Sequence, residues 1–254
     1  RIETFNILSY NVAGLPDRLS DSSPRTFTPM ISPLLNSYDL VLVQEDFFYH
    51  DELASQANHL FESTSGQERS FSFSSDGLNR FSNFPMTSFT RKQWDEAHGY
   101  FGFGNDRMAP KGFSFARHEL QAGVFIDVYN LHADAGEAAG DAVARGEQVE
   151  QLLRFMETHS TGNAVIVAGD TNMVGFDTGD EPVIQRLLEG GGLTDSARFL
   201  SAPECIDRIL YRSSSSVQLE AASYQIAPEF IDAAGNPLSD HDAIHVEMNW
   251  SLSQ

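Results

Sequence analysis

The chain has 254 residues, of which 41% are hydrophobic, and 36 acidic against 16 basic residues give a net charge of −20 at pH 7. The length suits one large domain or two small ones, and no apolar stretch is long enough to span a bilayer. The acidic balance opposes nucleic-acid binding and favours divalent cations, although a general adaptation to salt or for solubility explains much of the charge.

Apolar periodicity and turn residues predict alternating and consecutive elements along the chain. In the first half we expect a strand over residues 5–16, a short helix over 23–38, a buried strand over 39–46 and a helix over 51–62. Short strands and loops are expected over 63–94. In the second half we expect a strand hairpin over residues 111–120 and 122–134, an amphipathic helix over 137–159, a strand over 164–172 and a helix over 181–191. Two strands then follow over 205–213 and 217–226, and the segment 239–252 begins as a polar loop and ends as a strand.

Helices and strands alternate only partly, because several strands follow one another directly. This order favours two mixed sheets packed face to face with helices outside, an α/β sandwich, over a single doubly wound sheet. No compositional break marks a linker, so we expect one domain over residues 1–254.

Two features bear on the compartment. Cys205 is the single cysteine, which excludes an intrachain disulfide. Residue 1 is Arg rather than Met, so we expect a trimmed chain, with removal of a signal peptide or an expression boundary as the explanations. The first explanation favours a secreted or periplasmic protein.

Polar residues recur where apolar strands end. They are Asn11, Glu45, His132, Asp170, Asn172, Asp207, Asp240 and His241. Each one alone is explained by a cap or a hydrogen-bonded core group. Together they supply hard oxygen ligands suited to Mg²⁺, Mn²⁺ or Ca²⁺ and two histidines able to transfer protons. A zinc motif and a phosphate-binding Gly-x-x-x-x-Gly-Lys loop are both absent.

Six motifs carry a resemblance to a known superfamily. In order, "SYNVAGLP", "VLVQED", "NLHAD", "AGDTN", "CIDRIL" and "SDHDAI" resemble the motif series of the endonuclease/exonuclease/phosphatase (DNase I-like) superfamily. That group includes deoxyribonucleases, abasic-site endonucleases, inositol polyphosphate 5-phosphatases and neutral sphingomyelinases. The resemblance implies a four-layer α/β sandwich and metal-dependent hydrolysis of a phosphoester.

The resemblance also implies a metal site. Glu45 is the implied Mg²⁺ ligand, with Asn11 beside it and Asp240 near the metal region. Mn²⁺ or Ca²⁺ are alternative ions at such oxygen ligands.

Catalytic roles follow from the same motifs. His241 is the implied general base that activates water, and Asp207 orients it. Asp170 and Asn172 hold the attacking water and the phosphoryl group. His132 donates to a phosphoryl oxygen or assists the leaving group.

The segment 99–120 and the "NLHADAG" motif resemble the neutral sphingomyelinase and phospholipase C branch most. The expected substrate is then a lipid headgroup at a membrane surface, and the expected protein is a monomer. Lys111 lies near the substrate path in this interpretation, and a solvated lysine before a turn is the alternative. Asp134 stands where bacterial sphingomyelinases tend to have Gln, and Trp94 and Trp250 do not form a paired-tryptophan hairpin.

Three other functions remain open. A DNase-like nuclease would need a local basic groove, for which the candidates are Arg107, Lys111, Arg117, Arg145, Arg208 and Arg212. An inositol phosphate phosphatase would need a cluster of basic residues, which the net charge disfavours. A binding module without catalysis predicts a broken motif set, whereas every expected position is filled.

Overall fold

The structure is a computed structural model that describes residues 1–17, 22–63, 75–98, 110–175 and 179–253. Within these ranges the strands are β1 (Glu3–Asn11), β2 (Leu40–Gln44), β3 (Phe61–Glu62), β4 (Asn79–Ser82), β5 (Met86–Gln93), β6 (Gly112–Gln121), β7 (Val124–His132), β8 (Val165–Asp170), β9 (Thr194–Asp195), β10 (Asp207–Arg212), β11 (Val217–Ile226) and β12 (Ile244–Leu252). The helices in the same ranges are α1 (Pro24–Leu34), α2 (His50–Ala54), α3 (Ala139–His159), α4 (Glu181–Gly191) and α5 (Ser196–Phe199), and a 3₁₀ turn over Leu35–Ser37 continues α1.

The strands form two mixed sheets of six strands each. The first has the order β11-β12-β1-β2-β4-β3, and the second has the order β5-β6-β7-β8-β10-β9. Each sheet contains one parallel pair, β1 with β2 and β7 with β8, and the other neighbours are antiparallel. A crossover through a helix connects each parallel pair, α1 in the first sheet and α3 in the second, as parallel strands require.

Strand alternation divides the apolar side chains among three cores. In β1, Phe5 and Ile7 join the core between the sheets, whereas Leu8 and Tyr10 lie in the core under α1. A third core lies between the second sheet and α3 with α4, where Leu152 and similar residues pack. The layers therefore run helix, sheet, sheet, helix, and the predicted four-layer α/β sandwich is confirmed.

Some predicted elements differ from the observed ones. The helix expected over 51–62 ends at Ala54, and Phe61–Glu62 is a strand. The side chain of Asn36 bonds the backbone of Gln56 and Asn58 at 2.8 and 2.7 Å, so these tertiary contacts compete with continuation of the helix. The helix α4 and the strand β11 have the expected bounds. Part of the Phe-rich segment expected to form strands and loops lies outside the described residues.

Candidate active site

Strand register brings the predicted polar residues together. His132 pairs with Asp170 across the parallel strands β7 and β8, and Asp207 pairs with Asp170 across β8 and β10. The three side chains therefore stand side by side at one end of the second sheet. They continue the face that carries the apolar residues between the sheets, because side chains two residues apart share a face. Asn11 occupies the equivalent place at the end of β1 and meets them across the sandwich.

Glu45 follows β2 in a left-handed backbone conformation, with φ of 56°. Its carbonyl accepts hydrogen bonds from the backbone N–H groups of Gly14 and Phe47, both at 2.9 Å. A Cβ on Gly14 would lie 2.4 Å from that carbonyl, and a Cβ on Gly77 would lie 3.0 Å from the Glu45 Cα. Two glycines thus permit the close packing that fixes Glu45 in a conformation that most residues avoid.

The carboxylate of Asp170 is the centre of the site. Its Oδ2 accepts a hydrogen bond from Asn11 Nδ2 at 3.1 Å and lies 3.3 Å from His132 Nε2 and 3.7 Å from His241 Nε2. Burial, helped by the charge of Asp207, raises the pKa of Asp170 to about 6. Buried negative charge at this point is therefore only partly compensated by the protein's own groups.

His241 and Asp207 form a hydrogen-bonded pair, with 2.8 Å between Nδ1 and Oδ2. Burial lowers the pKa of His241, but the hydrogen bond and charge of Asp207, with the charge of Asp170, outweigh it and raise the pKa to about 10. The Nδ1 proton is held by Asp207, so Nε2 is the ring nitrogen that faces Asp170 and Asn11. At that pKa the metal-free ring is protonated at neutral pH, so it becomes a base only when positive charge beside the Asp170 carboxylate lowers its pKa; its orientation is that of a general base.

Ser239 joins the loop of His241 to β1, and sequence reasoning did not single it out. Its hydroxyl donates to the Asn11 carbonyl at 2.6 Å and accepts from the His241 backbone N–H at 3.3 Å. The signal was available, since Ser239 precedes Asp-His in the last motif. Asp240 itself is exposed and lies outside the candidate metal-binding groups, although its charge contributes to raising the pKa of His241.

His132 is fully buried and stays neutral, because burial, with the charges of Lys111 and His241, lowers its pKa well below the ordinary value. The Lys111 ammonium donates to the Ala133 carbonyl at 3.3 Å, and Asn172 Nδ2 donates to the same oxygen at 3.0 Å. Lys111 is therefore at the site rather than a remote solvated residue. Asn172 has a left-handed φ of 51°, and its N–H donates to Asp170 Oδ1.

The donor set fits a divalent cation. Ligand atoms of Glu45, His132 and Asp170 all lie within 4.8 Å of one another. Burial raises the pKa of Glu45, against the hydrogen bond from Asn11 and the charge of Lys111. The buried Asp170 and the partly buried Glu45 share one amide donor, which leaves negative charge that a hard cation would balance.

Asn11 bridges these carboxylates through nitrogen. Its Nδ2 lies 3.1 Å from both Glu45 Oε1 and Asp170 Oδ2, while its Oδ1 accepts from the Ala13 N–H at 3.0 Å. The backbone donor fixes this amide orientation. Asn11 thus lies beside Glu45, and in this arrangement its side chain holds the two carboxylates together.

The arginines considered for a basic groove are bound to internal partners. The interactions are Arg117 with Asp127, Arg145 with Asp180, Arg208 with Asp195 and Glu204, and Arg212 with the carbonyls of Ser160 and Gly191. Arg107 lies outside the described residues. Within the described part of the chain these arginines therefore do not form the local groove that the nuclease hypothesis needs.

Residues 4–241 match the Endonuclease/Exonuclease/phosphatase family. The chain belongs to this family. The fold brings the motifs that resemble those of this family to one end of the sandwich.

Individual relatives give a finer comparison. The sphingomyelinase of Mycobacterium bovis is 33% identical over 97% of this chain, and the chain spans about half of that relative's length, 53%. A β toxin mutant of Staphylococcus aureus with bound magnesium ions has a TM-score of 0.70 at 18% identity, covering 96% of this chain and 99% of the toxin chain. TDP2 of D. rerio complexed with a single-strand DNA product has a TM-score of 0.69 at 16% identity, covering 97% and 99%.

These structural likenesses show the fold of this family member. Across the described ranges, no helix combines the length and apolar character that crossing a membrane requires.

Proposed function

We propose that the protein is a divalent-cation-dependent phosphodiesterase that hydrolyses sphingomyelin to ceramide and phosphocholine. The observation that carries the proposal is the convergence of an Asp207–His241 pair and the Glu45–Asp170 carboxylates at one end of the sandwich. The 33% identity to a mycobacterial sphingomyelinase supports the lipid substrate. The predicted lipid headgroup thus remains our preferred substrate class.

His241 acts as the general base. Its Nε2 takes a proton from water as the water oxygen attacks phosphorus, while Asp207 holds Nδ1–H and stabilises the imidazolium that forms. The new bond joins the water oxygen to phosphorus, and the bond from phosphorus to the ceramide oxygen breaks. The departing ceramide oxygen takes a proton from solvent water, and the His241 imidazolium later returns its proton to solvent, so the protons balance.

The neighbouring groups place the phosphoryl group. Neutral His132 can donate one hydrogen bond to a phosphoryl oxygen, and the Lys111 ammonium adds positive charge beside it. Asp170 and Asn172 hold the attacking water on the His241 side, fixed by their mutual hydrogen bond of 3.0 Å. These groups are preorganised by strand ends, so little rearrangement opposes the reaction.

Glu45 and Asp170 would hold the cation, with Asn11 fixing both carboxylates. When bound, Mg²⁺ neutralises the negative charge of the phosphoryl oxygens and of the nearby carboxylates. The magnesium bound to the S. aureus β toxin supports this choice of ion. Mn²⁺ is an alternative with the same ligand preference.

A nuclease activity is the second candidate, since TDP2 with its DNA product shares the fold. The net charge of −20 and the internal partners of the arginines favour the lipid over the nucleic acid. Inositol phosphates, with several phosphates each, are disfavoured by the same charge.

The test uses sphingomyelin vesicles and plasmid DNA in parallel, each with Mg²⁺ and with EDTA. We expect Mg²⁺-dependent release of phosphocholine and intact DNA. Glu45→Gln should lose most of this activity while retaining the wild-type circular dichroism spectrum. Nicked DNA with intact lipid would overturn the substrate assignment, and full activity in EDTA would overturn the metal assignment.

A further inference from the structure

A second buried network lies next to Glu45, and no catalytic step described above uses it. Asp46, the next residue, is 1% exposed, and its Oδ2 accepts hydrogen bonds from His50 Nδ1 at 2.5 Å and Asn79 Nδ2 at 2.7 Å. His50 Nε2 lies 3.1 Å from Glu62 Oε1. The network therefore runs from the residue beside the candidate metal ligand to a partly exposed carboxylate.

The network ties the turn after β2 to three other elements. His50 is the first residue of α2, Glu62 belongs to β3, and Asn79 is the first residue of β4. The Asp46 backbone N–H also donates to the Gly77 carbonyl at 3.1 Å. The turn that carries Glu45 is thus held through both a side chain and the backbone.

Asn79 is itself held from two sides, so it provides a fixed anchor. Its Oδ1 accepts from Arg91 Nη2 at 2.6 Å, and its carbonyl accepts from Asn130 Nδ2 at 3.1 Å. Asn130 belongs to the opposite sheet, in the strand that ends at His132. The anchor of the Glu45 turn is therefore connected to the strand that positions another site residue.

The charges of the network depend on His50. Burial lowers its pKa, but the hydrogen bonds and charges of Asp46 and Glu62 outweigh it and raise the pKa to about 9, so the ring is a cation at neutral pH. Asp46 Oδ1 is buried and has no hydrogen-bond partner among the described residues. The hydrogen bonds to this carboxylate are therefore made at Oδ2, by the donor at the Nδ1 position of His50 and by the Asn79 amide.

We propose that the Asp46–His50 pair is a positioning device for Glu45, which holds the left-handed turn so that the Glu45 carboxylate stays beside Asp170 and Asn11. This inference rests on the proposed function, because it takes Glu45 as a metal ligand. Groups that orient a metal ligand without touching the metal commonly contribute 10–100-fold in metal affinity.

Two substitutions at His50 separate its two hydrogen bonds. His50→Asn retains a donor at the position of Nδ1, which bonds Asp46, and removes the bond to Glu62. His50→Gln retains a donor near the position of Nε2 and removes the bond to Asp46. Glu62→Gln is the matched control, since it changes the outer end of the network alone.

The measurement is Mn²⁺ and Mg²⁺ affinity of the whole protein by isothermal titration calorimetry, with melting temperatures in EDTA recorded separately. We expect His50→Asn and Glu62→Gln to bind metal nearly as the wild type does, and His50→Gln to bind it about tenfold or more weakly. Excess Mg²⁺ should restore most of the hydrolysis rate of His50→Gln. A purely structural role would lower the melting temperature without this difference in metal affinity.

Wild-type metal affinity in folded His50→Gln, together with weakened binding in Glu45→Gln, would overturn this inference and leave the proposed function intact. Unchanged metal affinity in Glu45→Gln would overturn the proposed function itself. If His50→Gln fails to fold, Asp46→Asn performs the same test, because asparagine retains the shape and removes the charge. We expect about tenfold weaker metal binding there, and unchanged binding would refute the role of the pair.

Discussion

The pKa of His241 gives a quantitative prediction for the Asp207–His241 pair. Asp207→Asn preserves the side-chain size but removes the charge that lies 2.8 Å from Nδ1. The raised pKa of about 10, against an ordinary 6.5, corresponds to about 5 kcal/mol in favour of the charged ring in the fold. Without the charge of Asp207, only the weaker attraction of Asp170 and Asp240 opposes the effect of burial, so we expect the pKa of His241 to fall by several units toward 6.5.

The same shift predicts how stability depends on pH. Because the folded-state pKa is raised, the stabilisation is fully present below about pH 6.5 and is lost as the pH rises through about 10. NMR titration of the His241 ring in metal-free protein measures the pKa, and urea denaturation across this window measures the stability. Between about pH 6.5 and pH 10, the free energy of unfolding of Asp207→Asn should fall less than that of the wild type.

Glu220→Gln on the exposed side of β11 is the control for loss of a carboxylate and should leave both curves unchanged. We also expect Asp207→Asn to lower kcat about 10³-fold or more, with a smaller effect on KM. A His241 ring that still titrates near pH 10 in the variant would refute the reasoning, because another group would then be raising its pKa.

Three further substitutions test other parts of the structure. His241→Ala should lower kcat about 10³-fold while the melting temperature stays near that of the wild type, and near-wild-type turnover would refute the assignment of the general base. Gly14→Ala should destabilise the protein by about 1–3 kcal/mol in urea and lower activity, because its Cβ meets a backbone carbonyl, whereas Gly146→Ala, with open space inside α3, should stabilise it by about 0.5–1 kcal/mol. Arg145→Ala should cost about 3–5 kcal/mol in the same assay, since it leaves the buried Asp180 carboxylate without its guanidinium, and a cost under 1 kcal/mol would contradict that account.

The sheets could be predicted from the sequence because burial imposes a regular period. The strand over 164–172 has a short apolar run that ends in Asp170 and Asn172, and both its position and its polar end were predictable. The helix expected over 51–62 was wrong beyond Ala54, because hydrogen bonds from distant Asn36 compete with helix formation. Local periodicity carries no information about such contacts.

Several of the residues that the fold brings together were indicated by the sequence, although Ser239 was missed and Asp240 lies outside the candidate metal-binding groups, and their contacts were not predictable. Strand ends and motif order indicate Asp207 and His241, but 34 residues separate them and only the packing of the two sheets brings Nδ1 and Oδ2 to 2.8 Å. The contact of Asp46 with His50 was missed because a histidine four residues after an aspartate carries no signal of a buried pair. Arg208 could not be distinguished from a surface arginine, since its carboxylate partner Asp195 is set by the pairing of β9 with β10.

The internal ion pairs of the arginines affect the long-range electrostatic interaction of the protein with membranes. Each pair, such as Arg145 with Asp180, neutralises one cation and one anion, so the net charge of −20 is carried by the remaining carboxylates. Long-range repulsion then slows encounters with anionic bilayers and leaves zwitterionic ones unaffected. Salt that shortens the Debye length should speed binding to anionic vesicles, the opposite of the response of a basic peripheral protein. For the sphingomyelin substrate that we propose, the acidic exterior would favour electrically neutral membranes over anionic ones before any contact with the active site is made.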